Sequence, residues 1–342
     1  MVASVASAWG ARAGLLSAGV GGAGVVSAVS ACRRKSGPKP VEIAVIPKGT
    51  THEFWKSVHA GAVKASRELG TKLVWKGPLK EDDLKSQIDL VQSFTAQRVS
   101  GIVLAPLDSR GLRAAVRDAV RSSIPVVIID SALDSTDPVS FVATDNRVAG
   151  RLAGEQMGKR LGGRGNVVVL RYQEGSASTH EREEGFLEAL RKFPDLRVVS
   201  ENQYAGATTE SAFSASESVL IAQGAAQDKV AGVFCPNESS TFGMLLALEK
   251  SGLAGKLRFV GFDASEKLKA ALVAGKIDGL VVQNPFEMGY RGYTSLSAHL
   301  RGEKVEPRVD TGSVFVEKAN LTDPKIKALV EPNLAEWLGG GG

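Results

Sequence analysis

From residue 41 onward, short apolar runs rich in β-branched residues alternate with amphipathic stretches. The runs predict strands over Glu42–Pro47, Lys72–Lys76, Gly101–Ala105, Val126–Asp130, Ser140–Ala143, Asn166–Arg171, Arg197–Gln203, Gly232–Cys235, Arg258–Phe262 and Leu280–Gln283. Several are almost continuously apolar, the pattern of a strand covered by helices on both faces. Between them lie helical stripes. Trp55, Val58, Ala62, Ala65 and Leu69 share one face and end at Gly70. Leu84, Ile88, Val91 and Phe94 mark a second stripe, and Phe242, Leu245, Leu246 and Leu248 a later one. Strand and helix in alternation predict parallel α/β sheets.

The pattern also echoes itself. VSGIVLAP at 99–106 is answered by VAGVFCP at 230–236, and the strand ending in Asp130 by the strand ending in Asp263. Gly101 to Asp130 spans 29 positions and Gly232 to Asp263 spans 31. Two readings stand: all α/β units share such a grammar, or two lobes are built on one plan. In parallel sheets ligands bind at the carboxyl ends of strands. Under the second reading, Asp130 and Asp263 therefore face one cleft; the alternative for each alone is a turn or a helix cap.

Composition adds a boundary. The chain has 342 residues, 43% hydrophobic and 23% charged, which fits a globular protein with real cores. Its net charge of +5 comes from Arg12, Arg33, Arg34, Lys35 and Lys39 in an opening segment without acids; 37 cations face 37 acids in the rest. That balance gives no support to nucleic-acid binding, which needs a basic face.

Residues 13–31 are small or apolar and uncharged, a stretch too glycine-rich and short for a good spanning helix, which predicts a cleaved export signal. The signal closes on Val29-Ser30-Ala31-Cys32, which resembles the bacterial lipoprotein signal, so residues 1–31 read as signal peptide and Cys32 as a lipid anchor; the alternative is an incidental cysteine. Residues 32–40 then form a flexible tether, and the lipid is the only expected membrane contact. Cys235, the other cysteine, reads as a buried small hydrophobe, so no disulfide framework is expected.

No catalytic residue, metal site or cofactor is expected. His52, His59, His180 and His299 lack metal-ligand spacing, and His59 and His299 read as solvated. Gly162–Gly165 lies between a helix and a strand, the wrong order for a phosphate loop. Polar and aromatic side chains instead cluster at strand ends: Lys48, His52, Phe54 and Trp55 after the first strand, then Asp108, Thr144, Arg182 opening the helix after the sixth, Asn237 with Glu238, and Gln283. A sugar needs this mixture, aromatic faces for the ring and charge-assisted hydrogen bonds for vicinal hydroxyls. Trp55, which starts the first stripe, also reads as core.

IAVIPKGTTHEFW (43–55), IPVVIID (124–130), FVATDN (141–146), Arg182–Phe186, VFCPNES (233–239), VGFDAS (260–265) and VVQNP (281–285) together resemble the ribose/galactose type of periplasmic sugar-binding protein, whose fold is shared with the sugar-responsive cores of LacI-like repressors. The resemblance implies two similar doubly wound parallel-sheet α/β lobes joined by three hinge crossings near Ala143–Asn146, Val282–Asn284 and Asp310–Gly312. It implies lobes of 41–144 with 284–310 and of 145–283 with 311–322, followed by a C-terminal extension (323–342) ending in a disordered glycine tail. It implies a monomer that binds a sugar through Phe54, Trp55, Asp130, Thr144, Arg182, Asn237, Asp263 and Gln283 and delivers it to an ABC permease. The sequence departs from the ribose pattern at Lys48, His52, Ala105 and Ser131, and Ile46-Pro47-Lys48 looks like the opening of autoinducer-2 binding relatives. A protein that presents ligand to a receptor is thus the alternative. Lys48 and His52 either contact an acidic or phosphorylated sugar, or Lys48 balances Asp130 and Asp263.

Overall fold

In the computed structural model, which describes residues 40–339, the apolar runs pair into two six-stranded sheets. The proposed leader, Cys32 and the last three glycines lie outside the described residues. The first sheet holds β1 (Glu42–Ile46), β2 (Lys72–Trp75), β3 (Gly101–Leu104), β4 (Val126–Ile129) and β5 (Ser140–Ala143), interleaved with helices α1 (Glu53–Leu69), α2 (Leu84–Gln97) and α3 (Arg113–Arg121). After α4 (Asn146–Arg160), the second holds β6 (Arg164–Arg171), β7 (Asp195–Tyr204), β8 (Gly232–Phe234), β9 (Arg258–Phe262) and β10 (Gly279–Gln283), with α5 (Ala177–Leu190), α6 (Thr209–Ala222), α7 (Glu238–Lys250) and α8 (Glu266–Val273). The chain then returns through α9 (Pro285–Leu300) to β11 (Arg308–Asp310), an edge of the first sheet, and crosses to β12 (Ser313–Val316), an edge of the second.

Strand orders are β2-β1-β3-β4-β5-β11 and β7-β6-β8-β9-β10-β12, so the two lobes repeat one plan. All pairings are parallel except β10 with β12. The central strands are apolar on both faces because helices cover both. Ile43 and Val45 belong to one core cluster, Ala44 and Ile46 to another. The chain passes between sheets three times: between β5 and α4, between β10 and α9, and between β11 and β12.

Two strands go beyond the sequence pattern. β11 and β12 are three and four residues long and sit at sheet edges; β11 is largely exposed, while β12 buries Val316 in the core of the second lobe. β11 (Arg308-Val309-Asp310) leaves no apolar run, and the three apolar residues of β12 are too short a run to set it apart. His59 also differs from the reading: it is half-buried, with its ring stacked 4.4 Å from that of Trp75, and burial lowers its pKa to about 4.

The C-terminal extension folds into α10 (Pro324–Val330) and α11 (Ala335–Leu338). Ile326, Leu329 and Val330 pack against the core of the second lobe, and Lys269 pairs with Glu331 at 2.7 Å. α11 docks on the first lobe, where Arg67 of α1 donates to the carbonyls of Glu336 (3.2 Å) and Trp337 (2.8 Å). The Trp337 ring lies 6.3 Å from that of Phe286 in α9.

Candidate functional site

The carboxyl ends of both sheets face one another. Asp130 follows β4 and Asp263 follows β9, and the two take the same conformation, left-handed with φ of 63° and 66°. Their amides are matched too: Asp130 N–H donates to Val142 O of the next strand at 3.1 Å, and Asp263 N–H to Val281 O at 2.9 Å. A left-handed backbone is uncommon for a residue with a side chain, and its recurrence at equivalent places marks a position held by its surroundings.

Around these carboxylates the lobes enclose a cavity of about 30 Å³. It is lined by Lys48, His52, Phe54, Trp55, Asp130, Arg182, Asn237, Asp263 and Gln283 from the sequence-predicted set, and by Glu81, Tyr172, Ser178, Thr179 and Glu238. Thr144 is the exception. It is buried in the hinge, and its hydroxyl donates to Gly312 O at 3.2 Å, which ties the first crossing to the third. Asp108 faces a wider groove of about 720 Å³, where it accepts from the amides of Arg110 and Gly111 at 2.7 Å each. Arg182 lies in the second turn of α5 rather than at its opening.

Each polar group has a definite partner. Lys48 Nζ pairs with Asp130 Oδ2 at 3.0 Å and reaches across the cleft to the hydroxyls of Ser176 (3.3 Å) and Ser178 (3.1 Å). It therefore balances Asp130; Asp263 is held differently, by Gln283 Nε2 at 2.8 Å and the amide of Glu238 at 3.1 Å. Burial raises the pKa of Asp263, against the pull of Arg182 and Gln283. Arg182 donates through Nε to Asn146 Oδ1 (2.8 Å) and through Nη1 to Pro236 O (2.9 Å), with its guanidinium 4.6 Å from the Phe262 ring centre. Its helix can come this close because α4 carries Gly150: a Cβ there would stand 2.0 Å from Arg182 O. Two residues that line the cavity each hold a buried atom without a partner, Arg182 Nη2, a donor, and Gln283 Oε1, an acceptor.

Helix ends cross the cleft as well. Glu238, at the start of α7, accepts from the amides of Glu53 (3.4 Å) and Phe54 (3.2 Å) at the start of α1. Glu53 in return accepts from the amide of Glu266 at the start of α8, 3.1 Å away. Each carboxylate lies at the positive end of a helix in the opposite lobe. Burial raises the pKa of Glu238 to about 7 despite the nearby His52.

Tyr172 follows β6 directly, so the rule that points to Asp130 at a strand end reaches it too. Glu81 lies in the run Lys80–Asp83, which reads as a solvated turn; only the folded chain brings it 2.8 Å from His52 Nδ1.

Residues 43–304 match a family model described as a periplasmic binding protein domain. The chain is 28% identical over 278 residues to the ribose import binding protein of Escherichia coli, covering 81% of this chain and 90% of that one. It is 28% identical over 265 residues to the xylitol-binding protein of Mycolicibacterium smegmatis, covering 78% and 72%. Among solved structures, a carbohydrate transporter solute-binding protein of Agrobacterium radiobacter in complex with D-arabinose superposes with a TM-score of 0.80 at 36% identity, over 85% of this chain and 99% of that one. An ABC transporter solute-binding protein of Agrobacterium vitis with bound D-fucose gives 0.80 at 34% identity, over 84% and 99%.

Proposed function

The chain belongs to the periplasmic binding protein family, and on that premise we propose that it is the exported, periplasmic sugar-binding component of an ABC-type importer. It holds an uncharged monosaccharide or polyol between its lobes and presents the closed form to a membrane permease.

The observation that carries the ligand class is the pair of buried, unpartnered atoms, a guanidinium N–H of Arg182 and the amide oxygen of Gln283, on two residues that line one cavity. A hydroxyl accepts from one and donates to the other. A carboxylate or phosphate dianion has no proton for Gln283. The charges favour the same ligand. Lys48 is committed to Asp130 and two serines, and His52 to Glu81, which among the described residues leaves Arg182 as the one lining cation without a carboxylate hydrogen-bonded to it, against four carboxylates in the lining. The indole of Trp55 and the ring of Phe54, edge to face at 4.9 Å, supply apolar surface for the carbon face of a ring.

Closure follows from geometry. Ligand hydroxyls that meet Asp130 on one side and Arg182, Asp263 and Gln283 on the other gain all their contacts only when the lobes are together, so the ligand favours the closed form by that difference. The 30 Å³ between the lobes here has room for little more than water, so a ring both enters and seats with the lobes further apart than in this arrangement. Calorimetric titration tests the assignment. Gln283→Leu should weaken binding of D-arabinose, D-ribose or D-fucose, whichever the native protein takes, by about 100-fold while the fold is retained. Unchanged affinity would place the ligand elsewhere.

A further inference from the structure

Glu81 accepts three hydrogen bonds on its carboxylate from side chains of both lobes. Its Oε1 accepts from the indole Nε1 of Trp55 at 2.6 Å and from His52 Nδ1 at 2.8 Å; its Oε2 accepts from the hydroxyl of Tyr172 at 2.6 Å. Its backbone carbonyl accepts from Gln173 Nε2 at 3.1 Å. Trp55, His52 and Glu81 belong to the first lobe, Tyr172 and Gln173 to the second. The side chain is 6% exposed. A carboxylate with three such donors has little capacity left for a ligand, and its neighbours leave it no alternative position. Gly49 presses on it from one side: a Cβ there would fall 2.8 Å from Glu81 Cγ.

We propose that Glu81 is the positioning residue of the binding site: it fixes the indole of Trp55 against which the sugar packs, holds His52 as the imidazolium, and takes the Tyr172 hydroxyl as the lobes close. The inference rests on the sugar-binding reading for the purpose of the arrangement, but the arrangement itself is measurable without a sugar. Three of the four side chains lie in one lobe, so most of the cluster persists when the cleft is open.

The charges around His52 are mixed. Glu81 stands beside it on its own lobe, Glu238 and Asp263 face it from the second, and Lys48 is the cation near Glu81. Burial alone would lower the His52 pKa; the hydrogen bond and charge of Glu81, helped by Glu238 and Asp263, raise it instead to about 9. Burial would likewise raise Glu81, but His52, Lys48 and Tyr172 bring it down to about 2. A group whose pKa is raised stabilises the arrangement below its ordinary value, and that contribution is lost as pH rises through the raised one.

The test is NMR titration of His52 in the ligand-free native protein, Glu81→Gln and Tyr172→Phe, with calorimetry against D-arabinose in parallel. In the native protein His52 should titrate above the ordinary 6.5, toward the value of about 9 that the closed arrangement gives. In Glu81→Gln its midpoint should fall well below the native one, because the carboxylate that raises it most is gone. The indole N–H resonance of Trp55 should shift, and sugar affinity should drop about tenfold or more. Tyr172→Phe should leave the His52 midpoint within about one unit and speed sugar dissociation, since it removes one of the bonds between lobes and leaves the His52–Glu81 contact in place. Gly49→Ala, which displaces the carboxylate without removing it, should move His52 in the same direction as Glu81→Gln. A His52 midpoint equal in the native protein and Glu81→Gln overturns the proposal, whatever the sugar data say. A native protein that ignores every sugar, with His52 behaving as described, overturns the sugar reading and leaves Glu81 as the organiser of the cluster.

Discussion

Asp130 and Asp263 show how much a residue's place in a repeat says about it. Either alone, after a strand, reads as a turn. Both are 4–6% exposed and left-handed, and each donates its amide to the next strand, so one backbone device presents two carboxylates to one cavity. The groups around them make binding pH-dependent. His52 rises to about 9 and Glu238 to about 7 in this arrangement, so each favours closure when protonated and loses that contribution as pH climbs through those values. Glu81 falls to about 2, so its contribution is present above its ordinary 4.5 and is lost in acid. Sugar affinity should therefore be greatest at about pH 5–6 and decline steadily toward pH 9, as titration calorimetry in matched buffers would read. Affinity that rises across that interval would contradict the cluster. The strand-end rule found the two aspartates, Asn237 and Gln283 because sheet topology alone aims them at the cleft. It did not find Glu81, which lies before α2 in a run of charges, because only tertiary packing desolvates it. It misjudged Thr144, whose hydroxyl is taken by the hinge.

At the scale of elements, the family match ends at residue 304, while the chain continues through β11 and β12 into α10 and α11. Those last two helices bind different lobes, α10 the second and α11 the first, so the segment between them spans the lobe boundary. It roofs a cavity of about 470 Å³ that Phe54, Asp263 and Gln283 also line. The anchor on the first lobe is half-buried Trp337, held by Arg67 and beside Phe286. Trp337→Ala should lower the thermal midpoint by about 1–2 °C, the shift expected for about 1 kcal/mol in a chain of this length. Scanning fluorimetry that finds no change would mean α11 contributes nothing to the fold. These helices leave a faint trace in the sequence: α11 has four residues, too short for a period.

For the molecule as a whole, the alternation of apolar runs predicted parallel sheets, and spacings of 29 and 31 residues hinted at a duplicated plan; the identical strand order of the two sheets is that duplication in three dimensions. The hinges were legible only through family resemblance, since a crossing of a few residues has no hydropathy signature. Two lobes joined by three thin crossings, with helix starts in each lobe capped by carboxylates of the other, have the build that the proposed closure around a ligand requires. The most direct test is titration calorimetry of the native protein against neutral pentoses, hexoses and polyols alongside sugar phosphates and sugar acids. Saturable one-to-one binding of a neutral member, with phosphates and acids inert, is the predicted result. Tight binding of a phosphate or acid with no response to any neutral sugar would contradict it.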